Sequence, residues 1–321
     1  MAIFDLEKDD LERLKETKIE ELVARLAEAE LSAAGHSAGY VRWTGSISAP
    51  DGGIDVHVQV PTNEFKTGFL AKPDMAFQVK KSTMHPSKIK NEMTPKKVLL
   101  QSISQQARVG GGYIIVSLKD DCSPQMLEDR IDPNHENIHL DFFDRSKIHQ
   151  WVRQHPSVMV WVKGLLGQGL SGWRPYGAWT NPQSGSKDEL ISAPGVSITL
   201  PLDQKESKPS IEQSHGVKVG IKEGIDQIRN LIRTTKKAIR IIGLSGVGKT
   251  RIVQALFDET VGKDALDRTL AIYVDTGESP DPSAHAILSW LLVEDKPATL
   301  IIDNCSAELH SSLTKNLHGR I

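Results

Sequence analysis

The sequence predicts an α/β protein made of two units joined by a connector. Three observations carry that expectation. Residues 9–154 alternate helical and strand periodicities. A glycine-rich turn, Gly243-Leu-Ser-Gly-Val-Gly-Lys-Thr250, stands late in the chain between an apolar run and a helical one. Between them, after Lys163, the composition shifts toward Gly, Trp, Pro and Ser. The expected boundaries are 1–165, a connector over 166–220, and 221–321, in keeping with the length of 321 residues.

The totals narrow the function classes. A hydrophobic content of 39% and a charged content of 25% are those of a globular protein. The net charge of -2 gives no global nucleic-acid signal, so a DNA-binding surface must be a local patch. Cys122 and Cys305 lie far apart, which suits a reducing compartment and small apolar roles better than a disulfide framework. No apolar run is long enough to span a bilayer, and the acidic N-terminus lacks the order of a signal peptide. The expectation is a cytoplasmic protein with no membrane partner.

The elements follow in order. Leu11, Leu14, Ile19, Leu22, Val23 and Leu26 fall at helical spacing within 9–34. The turn residues Pro50-Asp-Gly-Gly53 precede Ile54–Val60, which alternates strictly as a strand does. Met75–Lys80 is a second strand, Val98–Arg108 a helix, Tyr113–Ser117 and Ile138–Phe143 strands, and Lys147–Gln154 a helix. Trp173, Tyr176 and Trp179 in the connector suggest packing on a neighbouring unit; Trp151 and Trp161 are core or interface candidates. Ile225, Ile228, Leu231 and Ile232 stripe a helix over Glu223–Arg233. Ala238–Ile242, Leu270–Asp275 and Ala298–Asp303 read as strands of one parallel sheet, with a helix over Arg251–Phe257.

Gly243, Gly248, Lys249 and Thr250 fill every fixed position of the G-x-x-x-x-G-K-[ST] pattern. Glycines there, Gly246 included, let backbone N–H groups curl around phosphate oxygens. Lys249 is placed for the β- and γ-phosphates, Thr250 for Mg²⁺. Asp303 ends an apolar strand about fifty residues on, the Walker B form that holds the Mg²⁺ shell. Asn304 follows where many ATPases carry an acid, and a neutral amide is a poor base. These residues resemble the nucleotide-binding core of STAND-type signalling NTPases over roughly 220–321. The resemblance implies ATP and Mg²⁺ as cofactors. It also implies further strands, a sensor and a lid, so the chain is expected to be a fragment or to be completed elsewhere.

In Ile54–Val60, Asp55, His57 and Gln59 point away from the valines; in Met75–Lys80, Gln78 and Lys80 share a face. Asp55, Gln78 and Lys80 therefore converge in a hairpin, register permitting. A carboxylate and an amide oxygen are hard ligands for Mg²⁺, and a lysine beside them can stabilise charge on phosphate. Gly52-Gly-Ile-Asp-Val56 with Gln78-Val-Lys80 resembles the Mrr-type restriction endonuclease domain of the PD-(D/E)xK superfamily, over about 15–155. The resemblance implies a restriction-endonuclease-like fold, a helix acid near the metal (Glu20, or Glu21), and DNA as substrate. Asp51 completes a literal "PD" but lies in the turn. Gln78 stands where an acid is commoner and leaves one fewer negative charge. Lys80, Lys81, Lys88, Lys90, Lys96 and Lys97 form a basic stretch that is either a solvated face or a DNA contact. His57 and His85 have no ligand spacing and read as structural.

The combined expectation is a metal-dependent DNA endonuclease governed by an ATP-binding switch. Such a pairing resembles antiviral STAND NTPases of the Avs kind in prokaryotes. The resemblance implies homo-oligomerisation on activation and a phage-protein trigger read by a region beyond Ile321. Two alternatives stand beside it. One is an NTP-driven restriction or repair subunit. The other is a degenerate nuclease fold serving as a DNA-binding or oligomerisation scaffold.

Overall fold

The computed structural model describes residues 6–43, 52–62, 65, 67–95, 98–126, 137–179, 197–200, 217–234 and 238–318. Asp51, Lys96 and Lys97 lie outside them. The chain is a mixed α/β protein with two principal sheets. The N-terminal sheet has five strands in sequential order: β1 (Val41–Trp43), β2 (Val56–Gln59), β3 (Asp74–Lys80), β4 (Gly112–Ser117) and β5 (His139–Phe143). β1, β2 and β3 run antiparallel; β3, β4 and β5 run parallel. Parallel neighbours need crossovers, and helices supply them.

Helix α1 (Glu16–Ala33) buries Leu22, Val23 and Leu26 against Val56, Val58, Met75, Phe77 and Val79. These strand residues alternate, so they share one face. Helices α2 (Pro86–Met93) and α3 (Gln101–Arg108) cover the other face. There Ile89, Met93 and Ile103 pack with Ala76, Tyr113, Ile115 and Phe142. Helix α4 (Arg145–Gln154) is capped by the Asp144 side chain, which accepts from Lys147 N at 2.8 Å. It brings Trp151 into the first face, edge-on to Phe143. Helix α5 (Pro156–Leu165) begins at a proline and buries Val158, Met159 and Val162.

The C-terminal sheet has three strands in the order β10-β9-β6. β9 (Ala271–Asp275) and β10 (Thr299–Asp303) are parallel, as the sequence predicts. β6 (Trp173–Pro175) comes from the stretch read as connector and runs antiparallel to β9, so the expected parallel sheet is mixed. β7 (Ser197–Leu200) and β8 (Val217–Gly220) form a separate hairpin leading into α6 (Ile221–Thr234). On α6, Ile225 and Ile228 are buried, but Leu231 is 37% exposed. The buried place of Leu231 on the expected stripe goes to Arg229. Helix α7 (Lys249–Ala255) follows the glycine loop; α8 (Ala284–Val293) and α9 (Ala307–His318) complete the order.

One expected strand does not form. Residues 238–242 join no ladder among the described strands, and Ile242 is 78% exposed. Apolar side chains favour a strand only where a neighbour supplies hydrogen bonds, and among the described strands β10 pairs on one edge only, with β9. The two sheets share one hydrophobic cluster, in which Val158 and Val162 of α5 pack with Ile272, Val274 and Ile287. No described helix is long and apolar enough to cross a membrane.

Candidate functional site

Register brings the first set of residues together. Val56 pairs with Phe77 in the antiparallel ladder, and continuing the count places Asp55 opposite Gln78. The Asp55 backbone N–H donates to Phe77 O at 2.9 Å, and its carboxylate Oδ2 accepts from Val79 N at 2.5 Å. The carboxylate is thus fixed on the β3 backbone between Gln78 and Lys80. Gln78 and Lys80 lie on the face covered by α2, and Gln78 is only 5% exposed. Its Oε1 accepts from the Tyr113 hydroxyl at 2.9 Å, and that hydroxyl is also 2.9 Å from Gly53 O. Gly53 adopts φ +84°, and a Cβ there would meet Gln78 Nε2 at 3.2 Å. The glycine before the Asp strand therefore serves both a left-handed turn and the close approach of the amide.

Lys80 has a charged partner of its own. Its ammonium pairs with Glu92 of α2 at 2.9 Å, at the partly exposed end of β3. Sequence reasoning missed Glu92; the only local signal was a helical segment twelve residues after Lys80 bearing an isolated acid. Glu20 is 7% exposed on α1, whose apolar residues pack on the opposite face from Gln78 and Lys80. Glu21 is engaged elsewhere. Burial pushes its carboxyl up, but hydrogen bonds from Lys18 and Arg25, at 2.6 and 2.8 Å, outweigh that and hold it below the ordinary range. Nε2 of His57 bonds Asp74 at 2.7 Å, a pairing within the sheet. Lys88 of the basic stretch folds back on Ser82 Oγ at 2.6 Å.

The fit to a hard cation is partial. Asp55 offers a carboxylate, but the Gln78 oxygen already serves a hydroxyl. Among the described residues no group of three or more His, Cys, Asp and Glu side chains is placed to hold a metal.

The second set forms at the top of the C-terminal sheet. Gly246 and Gly248 take φ +79° and +87°, which side chains with a Cβ rarely adopt, and Gly248 opens α7. Lys249 Nζ donates to Gly243 O and Leu244 O at 3.1 and 2.8 Å, so it lies over its own loop. Thr250 Oγ1 donates to Asp303 Oδ2 at 2.9 Å and joins the loop to β10. A hydroxyl and a carboxylate oxygen in contact are a donor set that fits Mg²⁺. The Tyr273 hydroxyl donates to the same Oδ2 at 3.1 Å; burial, then the Asp303 charge, push its pKa up. Asn304 Nδ2 donates to Asp275 Oδ1 at 2.8 Å, across the ends of β10 and β9.

The former connector closes the flank of this site. Trp179 stacks on Tyr273 with centroids 4.7 Å apart, and its carbonyl accepts from Gln254 of α7 at 3.1 Å. Arg174 of β6 makes a two-pronged pair with Glu278 at 2.8 and 2.7 Å. No family model matches the chain, and neither a curated protein nor a solved structure does.

Proposed function

We propose that the chain is a Mg²⁺-dependent DNA endonuclease whose cutting is governed by ATP binding. The observation that carries the nuclease half is the Asp55 carboxylate fixed on Val79 N, between Gln78 and Lys80 on one strand. Bound Mg²⁺ would supply Lewis-acid activation of water and of the phosphate. The chain's own residues do the rest. Asp55, with Gln78 beside it, presents oxygen to the cation. Lys80 stabilises charge on the phosphate. Its pair with Glu92 is partly exposed, and such pairs contribute only about 0–1 kcal/mol, so the ammonium exchanges readily for a phosphate.

The nucleotide half rests on Gly243, Gly246 and Gly248 for the phosphates, Lys249 for their charge, and Thr250 with Asp303 for the Mg²⁺ shell. Asn304 in place of an acid suits binding and switching better than rapid turnover. In this reading ATP brings copies of the chain together on DNA, and the setting is prokaryotic antiviral defence with a protein trigger.

Nicking of supercoiled plasmid in Mg²⁺, with and without ATP, tests both halves. Wild type is expected to cut, Lys80→Ala and Asp55→Ala to lose cutting, and Lys249→Ala to lose its ATP dependence. Cutting by Lys80→Ala at the wild-type rate overturns the assignment. One observation favours the scaffold reading: the Gln78 oxygen is already engaged by Tyr113. DNA binding without cutting in any divalent metal would establish that alternative.

A further inference from the structure

We propose that Glu92 is the second metal-binding carboxylate of the N-terminal site, in the role that the neutral Gln78 leaves open. The inference rests on the nuclease reading above. Mg²⁺ sites that act on phosphate use one or two carboxylates and complete the shell with water and substrate oxygen. Asp55 is one such carboxylate. Gln78 adds no charge, it is 5% exposed, and its Oε1 accepts from Tyr113 at 2.9 Å.

Glu92 meets the need by position. Ile89 and Met93 anchor α2 on the face of β3 that carries Gln78 and Lys80. Glu92 lies next to Met93 on that helix, with its Oε2 2.9 Å from Lys80 Nζ. Asp55 is tied to the backbone of Val79. The two carboxylates are therefore attached to adjacent residues of β3, Asp55 through the Val79 amide and Glu92 through the Lys80 ammonium. Stability does not explain the pair, because the two side chains are 25% and 31% exposed and such pairs hold little. Lys80 then has two states. With no ligand bound it neutralises Glu92. Mg²⁺ takes the Glu92 carboxylate in its place, and the released ammonium is then available to the DNA phosphate.

Glu92→Gln keeps the shape and a hydrogen bond to Lys80 while removing the charge, and its half-exposed place leaves folding intact, which thermal melting checks. The readout is Mg²⁺ binding to the 321-residue chain by calorimetry without DNA, beside the Mg²⁺ concentration giving half-maximal plasmid nicking. Loss of one ligand charge is expected to weaken binding by about tenfold or more. Adding Gln78→Glu should restore the affinity to within about threefold of wild type, because it returns the charge to the strand. Affinity in Glu92→Gln within about twofold of wild type, or no restoration by Gln78→Glu, overturns the proposal. The failure of the broader reading looks different: wild type itself then neither binds Mg²⁺ nor nicks DNA. If Asp55→Ala abolishes binding and Glu92→Gln does not, only Glu92 is misassigned.

Discussion

Asn304 holds a left-handed backbone, φ 52°, and gives its amide to Asp275 at 2.8 Å. An amide accepts no proton from an attacking water, while the acid sits one strand away. Exchanging the two, Asp275→Asn with Asn304→Asp, keeps the hydrogen-bonded pair and moves the carboxylate beside Asp303. A positioned general base contributes about 10²–10⁴-fold, so phosphate release should rise by at least about 10²-fold with ATP affinity unchanged. An unchanged rate would show that base strength does not limit turnover. Gly53 gives a second residue-scale test. Its φ of +84° and the 3.2 Å approach to Gln78 predict that Gly53→Ala lowers stability by about 1–2 kcal/mol in chemical denaturation. These local features were largely legible. The Gly243–Thr250 loop is a pattern of adjacent residues, and strand alternation alone put Asp55, Gln78 and Lys80 on one face. Glu92 and Asp275 were not, because they reach their sites through helix packing and strand register, which no short window of sequence contains.

At the scale of elements, α6 and α7 are locked by one side chain. Arg229 is 1% exposed and donates to the carbonyls of Ala255, Leu256, Asp258, Val261 and Lys263 at 2.6–2.9 Å. Burial lowers its pKa, though the guanidinium keeps Asp226 at 3.3 Å. It gathers the loose carbonyls at the end of the helix that carries Lys249 and Thr250. Arg229→Met removes every partner at once, and a buried charged network broken this way costs about 3–5 kcal/mol. Urea denaturation followed by tryptophan fluorescence should read that loss, with weaker ATP binding. The stripe of isoleucines gave the helix but could not show that its deepest position belongs to an arginine. Segments that show their period several times over, α1 through five helical turns and β3, β4 and β5 through repeated alternation or an unbroken apolar run, were plain in the sequence. β1, β6 and α2 were not, since three residues hold barely one strand period and eight residues little more than two helical turns, so tertiary packing decides them. Residues 238–242 failed in the opposite sense: the composition of a strand without the ladder.

At the scale of the molecule, the two sheets meet where α1 and α5 face Asp267–Leu270. The Ser157 hydroxyl donates to Thr269 O, Lys296 to Gln154 at 2.8 Å, and Arg268 lies 3.8 Å from Glu28. A cleft of about 250 Å³ opens there between Trp43, Tyr176 and Arg268. Two carboxylates at this junction, Glu28 and Asp267, are raised, chiefly by burial. Asp267 Oδ1 accepts from Thr269 N at 2.7 Å; Oδ2 has no well-formed hydrogen bond, and the Ser32 hydroxyl lowers the pKa only in part. A raised carboxylate binds its proton more tightly folded than unfolded, so its contribution is greatest below the ordinary carboxylate range and is lost as pH rises through the folded value. Asp267→Asn should therefore stabilise the protein at pH 7 by about 1 kcal/mol or more, and leave it unchanged near the acid end, as thermal melts across pH would show. β6 sets where such a chain can be spliced. By sequence Trp173–Pro175 trails α5, but by hydrogen bonds it is the edge of β9. A chimera joined at 165 that keeps Trp173–Trp179 with the C-terminal sheet retains that edge and the aromatic clamp. One joined at 220 bares β9 and invites edge-to-edge aggregation. Any replacement N-terminal unit must also end in a helix as apolar as α5, so what is exchangeable here is the part of the chain in front of that helix.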